Sequence, residues 1–335
     1  MKRYNKIKSI FKAIILDLLF WVYIFGCLCF LAYRWFNFRI DNKFIGLGVF
    51  IFTILFFFIG NSLGRKAFFP SRRTIHKWFK SFWGWFIVTG LLVTFVVGWN
   101  LVEVDFIKFF MQFKNAGGIM SGIFDPNFDI LTMSLTALAE TIYLALLATV
   151  FAIPFAFVLS FFAARNLMPK TFIGNTVYVI VRTIATIFRS IEALVWAIIF
   201  SVWVGIGPFA GMLALMIHSI AALTKLYSEQ IENIDTGPVE AIKATGASTL
   251  QTWIYAIIPQ IISPYLAFTI YRWDINVRMA TIVGFVGGGG IGLLLLQQQQ
   301  LLRWHNVGIL IWLIALVVWI MDMLSAKIRA KLTET

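Results

Sequence analysis

Apolar positions in this chain run in long unbroken blocks instead of alternating with polar ones at a period of 2 or 3.6. Such blocks lie near 13–33, 44–60, 82–99, 136–163, 178–204, 208–226, 254–286 and 306–326. Each approaches the roughly 20 residues that a helix needs to cross the hydrocarbon of a bilayer. A helix that is apolar on every side needs lipid as its solvent, so the pattern predicts an all-α integral membrane protein with about eight transmembrane helices. The long stretch from Trp253 to Leu302 reads either as one span plus a re-entrant segment or as two spans.

The first block follows Lys2, Arg3, Lys6, Lys8 and Lys12, as an export signal would. It runs from Ala13 to about Tyr33, however, beyond the roughly 7–15 apolar residues of a signal core, and no small-x-small cleavage site closes it. It reads as a retained span. Cys27 and Cys29, two positions apart within it, point to nearly opposite helix faces, so they read as small apolar filler, not as a disulfide or a metal site.

Composition removes the soluble classes. Of 335 residues 60% are hydrophobic and 13% charged, against about 25% charged in an average soluble domain. The net charge of +13 follows from where Lys and Arg fall. With eight spans and the N-terminus inside, the cytoplasmic side collects the N-terminal tail, the loop 61–81 with Arg65, Lys66, Arg72, Arg73, Lys77 and Lys80, then Arg165, Lys170, Lys225, Lys243, and the tail with Lys327, Arg329 and Lys331. The outer side receives only Arg34, Arg39, Lys43, Lys108, Lys114 and Arg303. This bias places both termini in the cytoplasm. The charge is an orientation signal plus attraction to anionic membrane lipid, with no need for nucleic acid. Between the third and fourth spans, Glu103 to Asp129 reads as an amphipathic helix on the outer surface or as a plain connector.

Tyr227 to Trp253 is too long and too patterned for a tight connection. Pro238 suits a first helical position, Gly246 a helix stop, and Ser248 with Gln251 a capping box opening the next helix. The result is a helix of about two turns, within 236–250, projecting into the cytoplasm between two spans. A short rigid helix held at both ends moves its parent spans when a partner displaces it. Glu240-Ala241, Gly246 six residues after the glutamate, and Pro259 thirteen further on resemble the pattern Glu-Ala-Ala-x3-Gly-x9-Ile-x-Leu-Pro of ABC importer permeases. Ile242, Ala256 and Ile258 depart from it by apolar replacement. The segment from Arg272 through Gly284 to Gly292, with Ala163 to Asn166 and Arg189 to Ala197, is similar to phosphonate importer permeases.

The resemblance implies a five-helix permease core, like that of methionine importers, over 130–328, with a three-span N-terminal extension over 1–129 and a cytoplasmic tail at 329–335. It implies that Glu240, Ala241, Lys243, Gly246 and Pro259 form the coupling helix that docks on an ATPase. The expected partners are two ATPase subunits, an external solute-binding protein and a second copy of the chain, in a bacterial inner membrane. ATP and Mg would sit on the ATPase, because this sequence has no G-x4-G-K-[ST] loop and binds no cofactor itself. The cargo it implies is phosphonate or a related oxyanion, with methionine as the alternative.

Arginines inside spans are costly and normally face a protein interior or a wet cavity. Arg189, Arg272 and Arg278, with Asp274, are therefore candidates for a solute path, since guanidinium binds phosphorus oxyanions through paired hydrogen bonds. Intrahelical pairing of Arg278 with Asp274, and of Arg189 with Glu192, is the competing reading. Gly287, Gly288, Gly289 and Gly290 read as a gate hinge or as a tight packing seam. His218 reads as a packed hydrogen-bonding residue, and the three histidines are too scattered for a metal. A membrane enzyme acting on lipid phosphate is disfavoured, since no nucleophile and base cluster in the sequence. A secondary transporter would leave the Glu240 motif unexplained.

Overall fold

The computed structural model describes residues 2–37, 42–58 and 82–333, and all regular structure among them is helical. The expected basic loop 61–81, with His76, lies outside the described residues, as does Arg39. Contacts divide the chain into two compact units, Met1–Gln112 and Phe113–Thr335.

The first unit holds α1 (Lys2–Phe36), α2 (Asn42–Phe58), α3 (Phe82–Leu101) and the short α4 (Phe106–Gln112). α1 packs against both α2 and α3. Trp21 is buried with its ring 5.0 Å from Phe52, and Phe25 lies 5.5 Å from the same ring. Gly48 makes room for them, since a Cβ there would stand 2.9 Å from the Phe25 ring. Tyr23 bonds Thr94 at 2.7 Å, Trp35 donates to Asn100 at 2.9 Å, and Arg34 pairs with Glu103 at 2.6 Å. The two cysteines are free thiols. α4 meets α3 at a 42° bend and buries none of its residues.

The second unit runs α5 (Gly117–Phe124), α6 (Leu131–Ala163), α7 (Phe172–Ser190), α8 (Ala193–Val204), α9 (Pro208–Glu232), α10 (Thr236–Ala244) and α11 (Thr249–Thr252). A π-helical turn, Trp253–Ile257, leads into α12 (Ile258–Gly284), followed by α13 (Gly290–Gln300) and α14 (Trp304–Thr333). α6 is central, touching α7, α9, α12, α13 and α14. Ala145, Ala148, Ala152 and Ala156 form a stripe along it, each 0% exposed, and α9 contributes Ala210 and Ala214. Lipid tails are as apolar as leucine, so helices gain by approaching closely across small side chains.

Six of the described helices are long and apolar enough to cross a membrane, or seven if α3 and α4 form one bent span. The shorter ones correct the sequence windows. The block 178–204 is two helices, because Ile191 and Glu192 are extended, with ψ of 121° and 146°. Hydropathy cannot register a backbone break inside an apolar run. The stretch after Trp253 resolves into one span, α12, and the short α13, whose 11 residues reach only about 16 Å.

The segment before α6 lies in the second unit, which begins at Phe113. α5 crosses α14 backbone to backbone: a Cβ on Gly308 would lie 1.8 Å from the Gly122 oxygen. Trp312 donates to the Ile123 oxygen at 2.8 Å, and Asn127 donates to Asn306, which in turn donates to Gln298. Gln298 of α13 is thus fastened to the crossing of α5 and α14. Gly308→Ala should lower stability by about 1–3 kcal/mol through overpacking, read as a lower unfolding midpoint in detergent. Gly117→Ala, with open space around its Cβ, should leave the midpoint unchanged or raised.

Candidate functional site

The elbow between α9 and α12 is fastened at both ends. Asp235 caps α10 by accepting from Gly237 N–H at 3.0 Å. The helix therefore starts at Thr236, and Pro238 occupies its third position and not the first, which costs nothing because that N–H has no intrahelical partner. Gly246, with φ of +81°, turns the chain out of the helix. Ser248 and Gln251 form the expected capping box, and Pro259 is the second residue of α12.

Gln260 closes the elbow. Its Oε1 accepts from Asp235 N–H at 3.0 Å, while its Nε2 donates to the Ala256 oxygen at 2.7 Å and to the Asp235 oxygen at 3.3 Å. The start of α10 is thereby tied to the first turn of α12. Sequence reading missed this residue, since a glutamine one place after a proline carries no signal of its partner 25 positions away.

α10 buries no residue completely. Glu240, Ala241 and Lys243 are exposed, whereas Val239 and Ile234 pack toward a cluster containing Tyr227, Ile257 and Tyr265. Tyr227 and Tyr265 stack with centroids 3.7 Å apart, and the Tyr265 hydroxyl donates to the Tyr227 oxygen at 3.0 Å and meets Ser160 of α6 at 3.1 Å. The last turn of α9 is held by Glu232, which pairs with Arg182 at 2.7 Å and accepts from Arg165 N–H at 2.8 Å. A displacement of α10 thus has stiff contacts to α6, α9 and α12.

The four charged candidates do not converge. Arg278 pairs with Asp274 at 2.9 Å and also with Asp322 of α14 at 3.3 Å, a partner that spacing could not reveal. Arg272 lies on another face of α12, 6% exposed, donating from Nε to Ser219 at 3.0 Å. Asn276 links the same serine, at 2.8 Å, to Thr149 at 2.9 Å. Arg189 ends α7, is exposed, and forms no ion pair with the exposed Glu192. His218 bonds the Ile191 oxygen at 3.1 Å, so it is a packed hydrogen-bonding residue within electrostatic reach of Arg189 and Arg272.

Gly287, Gly289 and Gly290 have φ of +90°, +78° and +68° and form the turn into α13. Thr141 accepts from Ile291 N–H at 2.8 Å, and a Cβ on Gly289 would meet the Glu140 carboxylate at 2.9 Å. This carboxylate stands by the positive end of the α13 dipole, a favourable place for it. Glu140 was not singled out from sequence, because it is one acid in an apolar run. Among the described residues no group of three His, Cys, Asp or Glu is placed to hold a metal.

The site is thus a bundle of membrane-length helices with one exposed, clamped helix between two of them. Residues 156–330 match the family described as the binding-protein-dependent transport system inner membrane component, and the chain belongs to that family. It is 33% identical over 204 residues to the phosphite transport system permease protein PtxC of Stutzerimonas stutzeri, covering 61% of this chain and 73% of that one. It is 33% identical over 249 residues to the phosphate-import permease protein PhnE of Mycolicibacterium smegmatis, covering 74% of this chain and 46% of that one. The fold is also that of a chain of the inward-facing MetNI methionine ABC transporter, with a TM-score of 0.53 at 22% identity over 61% of this chain and 97% of that one. The chain is a multi-pass membrane permease of the ABC importer class. The family implies an ATPase and a binding protein as partners.

Gln260→Ala removes the clamp on α10 and should cost the elbow about 1 kcal/mol. Amide exchange over Thr236–Ala244 should then accelerate about fivefold, read by hydrogen–deuterium exchange, with the middle of α12 unchanged.

Proposed function

We propose that this chain is the permease of an ATP-driven importer of phosphonate or a related phosphorus oxyanion such as phosphite or phosphate. It works as a homodimer with two ATPases, receives cargo from an external binding protein, and has both termini in the cytoplasm of a bacterial cell. The observation that carries the reading is the Asp235–Gln260 clamp, which makes α10 a lever for force from outside the membrane.

ATP and Mg belong to the ATPase. When two ATPases close on ATP they draw the α10 helices of the two copies together through Glu240, Ala241 and Lys243. Gly246 and Pro259 keep the lever's far end stiff, so the displacement reaches α9 and α12 and opens the path outward. Hydrolysis reverses the movement. Arg189 and Arg272 offer charge to an anion along the path, whereas Asp274 neutralises Arg278 and leaves it less to offer. The turn at Gly287 to Gly290, which joins α12 to α13, would take up their relative movement as the gate moves. The names of the phosphite and phosphate permease relatives support the class of cargo.

The test is uptake of methylphosphonate into vesicles containing the assembled transporter. Uptake should require ATP. Gly246→Pro cannot adopt the positive φ, and Glu240→Arg reverses the charge at position 240. Each should cut uptake at least tenfold while ATP hydrolysis continues without stimulation by the binding protein. Normal uptake by both variants would remove the lever, and uptake without ATP would remove the importer reading.

A further inference from the structure

We propose that a cavity between α7 and α9 is a binding site for a short-chain alkylphosphonate, with Arg189 and the Thr224 hydroxyl taking the phosphoryl oxygens. The ligand class rests on the importer reading above. The cavity, of about 150 Å³, is walled by Arg182, Thr186, Arg189, Thr224, Lys225 and Ser228, among others.

Its charges are unequal in occupation. Arg182 is held by Glu232 at 2.7 Å and Lys225 by Glu229 at 3.5 Å, while among the described residues Arg189 forms no ion pair. One positive charge is therefore left for an anion. Thr224 supplies an independent observation. It is 0% exposed, and among the described residues its Oγ1 has no hydrogen-bond partner. Thr141, Thr149, Thr186 and Thr269 each donate to the carbonyl one turn earlier, as helical threonines commonly do. Thr224 does not, and a buried hydroxyl without a partner is destabilising unless something else accepts from it.

A second cavity, of about 230 Å³, adjoins the first through Thr224 and Ala185. Its other walls, including Leu159, Ile184, Phe188, Ile217 and Ile220, are apolar. A basic chamber beside an apolar one, with Thr224 and Ala185 in the wall of both, matches a molecule with a phosphoryl head and a short carbon tail, the two halves of an alkylphosphonate. The site also lies next to the elbow: Arg182 in its wall holds Glu232, three residues before the cap of α10. Movement of α10 would therefore reshape it.

The test uses the assembled transporter in phosphatidylcholine nanodiscs, with the unfolding midpoint followed against inorganic phosphate, methylphosphonate and propylphosphonate. Each should raise the midpoint saturably. Affinity should climb about fourfold per methylene, the equivalent of about 0.8 kcal/mol, so propylphosphonate binds roughly tenfold or more tighter than methylphosphonate. Arg189→Gln should weaken binding at least tenfold. Thr224→Val should raise the midpoint of the empty complex yet weaken phosphonate binding at least fivefold, a pairing that a merely structural threonine does not produce. If Arg189→Gln fails to fold, Thr224→Val still decides.

The absence of a saturable shift in the wild type, or unchanged affinity in Thr224→Val, overturns the site. So does a flat series from phosphate to propylphosphonate. Displacement of propylphosphonate when phosphatidylglycerol is added would mean that a lipid headgroup occupies the cavity, and that also overturns it. ATP-driven uptake with unaltered Thr224→Val binding removes this site alone, whereas intact binding without ATP-driven uptake removes the importer reading alone.

Discussion

Lipid gives its embedded helices no hydrophobic reason to associate, and this constraint shapes the second unit throughout. What remains is close approach and hydrogen bonding. The alanine stripe of α6 lets α9 pack closely, and Gly122 and Gly308 let α5 and α14 cross with their backbones in contact. Polar side chains complete the job: Thr149, Ser219 and Asn276 link α6, α9 and α12 at one level, and Ser160, Tyr227, Tyr265 and Thr269 link them again nearer the elbow. A large side chain in the alanine stripe would lengthen the distances on which both polar layers depend.

The same layers let the elbow act as more than a loop. α10 alone is nine residues long, too short to be a stable helix in isolation. It is stabilised by the Asp235 cap, by the left-handed turn at Gly246 and by the Gln260 clamp. Because those fastenings lead to α9 and α12, a load on the exposed face of α10 reaches the two tyrosines and hence α6. Stiffness at one end of the bundle is thus inherited from polar contacts made within it.

Charge is distributed by the same logic. Arg182, Arg278 and Lys225 each have an acidic partner, and Arg272 lies almost wholly buried against Ser219. Arg189 stands apart from them beside the break between α7 and α8, without a direct counter-charge. A permease has to offer a positive group to an anion without holding it permanently.

The membrane class, the core of long spans, the short helix α10 and its stops at Gly246 and Ser248 were legible in the sequence, because each depends on residues close together along the chain. Hydropathy needs only a window, and helix caps need only three or four positions. Other features depended on tertiary structure: the break at Ile191, the capture of Gly117–Phe124 by α14, the bond from Gln260 to Asp235, the Asp322 partner of Arg278 and the placing of Glu140 against Gly289. Each is decided by groups that meet only after the helices have packed, and an apolar window looks the same whether its backbone runs straight or breaks. Sequence could name the arginines of the spans, but only folding could decide which of them would find a carboxylate.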